Sequence, residues 1–219
     1  MYKITFHSEW HCGSGLTSGS DLDALVVKDA DNFPFVPGKT IKGLLQEAAM
    51  ELFGEKFKKE YDKLPEGKSD ENVLEHFIPK VFGYFDEKEI EKSKLHVKGE
   101  AFFSNATLSS TLREEILKDV QEKSYANEEA KELKLTDYFY RNVASTSISD
   151  NGIAREHSLR RMQTVIPCEL VAIITGVNEQ YIDNLKTCMK YVKRLGLSRN
   201  RGLGRCTFEV VEPKKEAIL

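Results

Sequence analysis

Residues 2–10 alternate, with Tyr2, Ile4, Phe6 and Ser8 set against Lys3, Thr5, His7 and Glu9, and this period of two predicts a half-buried strand. A loop rich in Gly, Ser and Asp follows from Gly13 to Asp21, and Ala24 to Asp29 reads as a second short strand closing on an Asp29-Ala30-Asp31-Asn32 turn. Phe33 to Pro37 is a Pro-bounded connector. Beyond Gly38-Lys39-Thr40, the apolar residues Ile41, Leu44, Leu45, Ala48, Ala49, Leu52 and Phe53 recur at helical spacing, and Gly54 stands where a glycine would end that helix. Residues 55–93 are charged and weakly periodic, and read as a helical surface insertion.

Residues 94–108, with Leu95, Val97, Ala101, Phe102 and Phe103, read as a strand, and Leu112, Ile116 and Val120 mark a helix or a mobile excursion after it. Residues 127–140 are charged and helical in pattern. Residues 142–161 form a flap with a turn at Asp150-Asn151-Gly152. Met162 to Thr175 reads as one long strand, residues 178–194 as a helix carried by Tyr181, Ile182, Leu185, Met189 and Val192, and Cys206 to Val211 as the last strand. This order fits an α+β chain, a single domain over residues 1–219 with a ferredoxin-like β-α-β-β-α-β core carrying insertions.

Composition changes this picture little. The 219 residues are 40% apolar and 31% charged, with 14 Gly and 6 Pro, as in a globular chain long enough to bury a core. Cys12, Cys168, Cys188 and Cys206 are widely spaced, which argues against a zinc knuckle or a disulfide framework and for reduced thiols in a cytoplasmic protein. The N-terminus has no apolar leader, and the longest strongly apolar run, Leu170 to Ile174, is too short to span a bilayer, so secretion and membrane insertion are not expected. The net charge of −3 gives no global sign of a nucleic-acid binder. Its distribution does: between Met189 and Phe208 stand six basic residues, Lys190, Lys193, Arg194, Arg199, Arg201 and Arg205, and no acid.

Gly38-Lys39-Thr40 lacks the first glycine of a phosphate-binding loop, since position 33 is Phe33. What remains is a helix N-terminus with Lys39 and Lys42, which either cradles one backbone phosphate or is simply capped and solvated. The stretch Gly196-Leu197-Ser198-Arg199-Asn200-Arg201-Gly202-Leu203-Gly204-Arg205 pairs three glycines, which let backbone approach a ligand, with three guanidinium forks suited to phosphate. Arg155 to Arg161 is a second basic site beside the flap, balanced between RNA contact and a solvated strand end. Asp21, Asp23, Asp29 and Asp31 lack the spacing of a calcium loop. Such aspartates make turns, or one of them orients or deprotonates a ribose 2′-hydroxyl for in-line attack on the adjacent phosphorus. His7 and His11 are too far apart on a strand to share a metal, His157 falls in the flap, and Trp10, Tyr84, Phe102 and Phe103 read as core.

The segments His11-Cys12-Gly13-Ser14-Gly15, Asp23-Ala24-Leu25-Val26-Val27-Lys28-Asp29, Pro34 to Gly43, Leu52-Phe53-Gly54 or Val81-Phe82-Gly83, and Gly196 to Arg205 occur in this order. Together they resemble the RAMP superfamily of CRISPR-associated proteins, and within it the backbone subunit of type III effector complexes. The resemblance implies an RNA-recognition-motif-like palm on CRISPR RNA, a thumb at residues 142–161, target RNA, other effector subunits and a filament of copies as partners, and no membrane. It places the cleaving aspartate at Asp23, acting with Mg²⁺ or another divalent cation, and RNA contacts at Gly13, Ser14, Lys39, Lys42, Arg160, Arg161, Arg199, Asn200, Arg201 and Arg205. The alternatives are a structural RNA-binding subunit without nuclease activity, and a metal-independent processing endoribonuclease using a histidine such as His11.

Overall fold

The computed structural model describes residues 1–18, 22–61, 76–85, 96–126 and 136–211. Asp21, parts of the 55–93 stretch and residues 127–135 lie outside the described residues. Strand β1 (Tyr2–Phe6) buries Tyr2, Ile4 and Phe6 on one face, as its alternation predicts. It is the middle strand of an antiparallel sheet between β7 (Glu169–Ala172) and β9 (Cys206–Val210), with Ile4 opposite both Leu170 and Phe208. On the other face Lys3 lies 3.0 Å from Glu169 and 3.6 Å from Glu209. Thr107 extends the sheet by pairing with Val171, and Ala106 in turn pairs with Val36.

Helix α1 (Gly38–Tyr61) and helix α5 (Ile182–Tyr191) pack on each other. Their buried stripes, Ile41, Leu45, Ala48 and Ala49 on α1 and Leu185, Cys188 and Met189 on α5, join the inner face of the sheet in one hydrophobic cluster. Gly54 does not end α1, which continues to Tyr61. Phe57 explains why: it is fully buried, edge-on to Tyr84 at 4.8 Å. Burying that ring is worth about 2 kcal/mol or more, against about 1 kcal/mol for a mid-helix glycine. Helix α2 (Phe77–Phe82) also buries Phe77, Ile78, Val81 and Phe82, so residues 55–93 contribute core as well as surface.

Two expected strands are broken. Residues 94–108 divide into β3 (His96–Lys98), paired with β2 (Gly83–Phe85), and β4 (Phe102–Phe103), paired with β8 (Ile174–Thr175). Phe103 is buried, but Phe102 is 67% exposed. Residues 162–175 divide into β6 (Arg160–Val165), β7 and β8, the first break falling at Pro167, which has no N–H for a ladder. Ala24 to Asp29 is not a regular strand: Ala24, Val26 and Lys28 bridge three different partners, Met162, Gly13 and Pro34. Helix α3 (Ser110–Ala126) and the short α4 (Thr136–Phe139) precede β5 (Tyr140–Ser145), which pairs with β6 as a hairpin. Its tip turns at Gly152, with φ of 77°, and carries the exposed Ile148 and Ile153.

Candidate nucleic-acid interface

Residues 10–14 join three parts of the molecule. Trp10 and Val165 exchange backbone hydrogen bonds at 3.0 and 2.8 Å, fastening the segment to β6. His11 O accepts the Leu197 N–H at 2.9 Å, Cys12 O accepts the Val27 N–H at 2.8 Å, and the Ser14 N–H and Oγ both donate to Leu25 O, at 2.9 and 3.0 Å. Three further bonds, His7 N–H to Arg205 O, Gly204 N–H to Glu9 O and Arg205 N–H to Ser8 Oγ, bring the two ends of the chain side by side. His11 Nδ1 lies 2.6 Å from Gln163 O. A carbonyl only accepts, so Nδ1 carries the proton and Nε2 faces Gly13. The ring is 1% exposed.

Asp23 sits where this assembly meets the β5–β6 hairpin. Its N–H donates to Arg161 O at 2.8 Å, its Oδ2 accepts the Arg161 N–H at 2.7 Å, and its Oδ1 lies 3.7 Å from Arg160 Nη1. Gln163 N–H donates to Ala24 O at 3.0 Å, continuing the contact. Asp23, Arg160, Arg161, Gly13 and Ser14 are therefore gathered around the hairpin base, and none of them is buried.

The loop after α5 forms a second basic surface. Arg199–Arg201 is one 3₁₀ turn entered through Ser198 at φ 56°, the Arg194 guanidinium donates to Arg199 O, and Arg199, Asn200, Arg201 and Arg205 are all exposed. Two of its glycines approach the protein's own backbone rather than a ligand. A Cβ on Gly196 would stand 2.3 Å from His11 O, and one on Gly204 1.9 Å from Leu195 O, whereas Gly202 faces open space. Arg199 and Asn200 border a cleft of about 510 Å³ whose opposite wall is the Leu44, Glu47, Ala48 and Glu51 face of α1. Lys39, at the start of α1, is exposed and close to Cys12: burial pushes that thiol up, and the Thr40 hydrogen bond and Lys39 charge pull it partly back. Lys42, one turn further on, is half-buried.

Asp29 and Asp31 are structural. Asp29 Oδ1 accepts the N–H groups of Asp31 and Phe33, and both Asp29 and Asp31 pair with Arg113 of α3, which also lies 4.6 Å from the Phe33 ring centre. Asp29, the largest cause, and Asp31 hold the Arg113 guanidinium further toward its charged form. Tyr140 at the hairpin base donates to Asn32 O at 2.7 Å, and the Lys28 ammonium lies 4.1 Å over its ring. The sequence holds no local signal for these fasteners, because Arg113 and Asp29 are 84 positions apart. Among the described residues no group of three or more His, Cys, Asp or Glu could hold a metal ion, and no helix is long and apolar enough to cross a membrane.

The superfamily comparison agrees with the resemblance read from the sequence. The RAMP superfamily profile matches residues 3–207, and the chain belongs to that superfamily. It is 26% identical over 222 residues to the CRISPR system Cms endoribonuclease Csm3 of Streptococcus thermophilus, with 94% of this chain and 87% of that protein covered. Its fold is shared with a chain of the type III-B Cmr-beta complex bound to cognate target RNA, at a TM-score of 0.61 and 11% identity over 95% of both chains. The apo state of that complex matches with a TM-score of 0.59 and 13% identity over 96% of both.

Proposed function

We propose that this chain is the guide-RNA-binding backbone subunit of a type III CRISPR interference complex and that it cleaves paired target RNA at Asp23. The order β9-β1-β7 followed by residues 106–108, with α1 and α5 as the two crossovers, supports a ferredoxin-like palm. The β5–β6 hairpin is the thumb. The names of the relatives support a type III complex that binds target RNA; CRISPR RNA, other effector subunits and further copies of this chain complete the proposed partners, in the cytoplasm. The observation that carries the catalytic reading is the position of Asp23: exposed, at the thumb base, one oxygen fixed by a backbone N–H and the other facing solvent and Arg160.

At this point Asp23 Oδ1 orients the 2′-hydroxyl of a splayed target nucleotide for in-line attack on the adjacent phosphorus. Gly13 and Ser14 line the same base, and Lys39, Lys42 and the Arg199–Arg205 loop hold ribose-phosphate backbone without reading bases. A lone carboxylate fits a hydrated Mg²⁺ ion; Asp23 would hold it through a water, and it would neutralise charge at an RNA phosphate. The test is cleavage of complementary RNA by the complex assembled with its guide, comparing wild type with Asp23→Asn, which keeps an acceptor for the Arg161 N–H. Loss of cutting with unchanged RNA affinity is expected. Unchanged cutting would refute the assignment to Asp23. Absence of magnesium-dependent cutting by the wild-type complex would establish the second reading, a structural RNA-binding subunit, which the bonds of Asp23 to Arg161 favour because they give the aspartate a role without chemistry.

A further inference from the structure

Arg160 and Arg161 are adjacent on β6, and side chains of successive strand residues point to opposite faces. Arg161 meets Asp23 through its backbone, whereas Arg160 brings its guanidinium to the free carboxylate oxygen, Nη1 lying 3.7 Å from Oδ1. The Arg160 side chain is 71% exposed and that of Asp23 48%, so the pair stabilises the fold by little and the guanidinium can turn toward a ligand at negligible cost. A phosphate whose neighbouring 2′-hydroxyl is bonded to Oδ1 lies within reach of Arg160 and on the opposite face of β6 from the Arg161 side chain.

We propose that Arg160 is a catalytic residue whose guanidinium stabilises the transition state of the cleavage assigned to Asp23; the inference rests on that assignment. In the reaction the 2′-oxygen forms a bond to phosphorus and the bond from phosphorus to the 5′-oxygen breaks, leaving a 2′,3′-cyclic phosphate. The 2′-hydroxyl proton passes to Asp23 Oδ1 or to water, and the departing 5′-oxygen takes a proton from water. Negative charge grows on the two non-bridging oxygens as the fifth bond forms, and a guanidinium that remains protonated throughout donates two parallel N–H groups to them. Interactions stronger in the transition state than in the ground state raise the rate of the step and not the affinity for RNA.

The test is single-turnover cleavage by the guide-loaded complex at saturating target, with Arg160→Ala, Arg160→Lys and Asp23→Asn. Arg160→Ala lowers the rate about a hundredfold with target affinity nearly unchanged, and Arg160→Lys recovers part of it. Replacing one non-bridging oxygen of the scissile phosphate by sulfur slows the wild type, and this slowing shrinks in Arg160→Ala, which a merely structural role would not produce. A wild-type rate in Arg160→Ala, or a loss removed by saturating target, overturns the proposal. Cleavage persisting in Asp23→Asn overturns the assignment beneath it, whatever Arg160 does.

Discussion

Asp23 and Arg161 hold each other by two reciprocal hydrogen bonds, Asp23 N–H to Arg161 O at 2.8 Å and Arg161 N–H to Asp23 Oδ2 at 2.7 Å, across 138 positions of sequence. The residue to which the proposed function assigns the chemistry also ties the β5–β6 hairpin to the segment at residues 22–28. Removing its side chain therefore does two things at once. Asp23→Ala leaves the Arg161 N–H to water and costs about 1 kcal/mol, whereas Asp23→Asn keeps an oxygen in place and costs less. Amide exchange at Arg161 should be faster in the alanine variant and near wild type in the asparagine variant. Equal protection in both would show that the bond does not hold the β5–β6 hairpin in place.

The glycines of the C-terminal loop are predicted to differ by what they approach. Gly196→Ala and Gly204→Ala force a methyl group into backbone at 2.3 and 1.9 Å, from φ of 98° and 69°, and each should cost about 2–4 kcal/mol in urea unfolding. Gly202→Ala meets nothing within 4 Å, so only its φ of 92° is strained, at about 1 kcal/mol. If all three cost the same, the loop is not packed as described.

Arg199 and Arg201 are exposed on a single 3₁₀ turn and serve as phosphate ligands in the proposed function. Each arginine-to-alanine change should weaken guide-RNA binding alike for unrelated sequences. The slope of log affinity against log salt should become shallower by roughly 0.7 for each phosphate that is no longer neutralised, the value for single strands. A weakening confined to one guide sequence would mean base readout instead.

Legibility in the sequence tracks distance along the chain. The alternation in β1 and the stripe Ile41, Leu45, Ala48 and Ala49 depend on neighbours a few positions away, and both are found as read. Gly54 is a false stop for α1 because Tyr84, which packs on Phe57, lies 27 positions beyond that phenylalanine and outweighs the local cost of the glycine. Asp23, Arg160 and Arg161 each stand out by resemblance, but their mutual contact is long-range and invisible to spacing. The aspartates at 29 and 31 read in sequence as turn formers or as groups acting on a 2′-hydroxyl, and only the fold brings Arg113 to them.

The buried thiols predict how stability depends on alkaline pH. Burial pushes Cys188 and Cys206 up to about 12 and Cys168 up to about 11, from 9.0, and it raises the Tyr2 and Tyr140 hydroxyls as well. A group whose pKa is raised on folding is held neutral in the native state but ionises freely once unfolded. Its contribution is fully present below about pH 9 and is lost as pH rises from 9 toward 12. Urea midpoints should thus fall steadily above pH 9, and less steeply in Cys188→Ala, which removes one of these groups from a fully buried position. Below that pH, an uncharged alkylating reagent should leave Cys12, Cys188 and Cys206 unmodified in the native protein, because each is buried and holds its proton. Rapid native-state labelling of Cys188 or Cys206 at pH 8 would mean that the packing of α5 against the sheet opens far more readily than so closed a core allows.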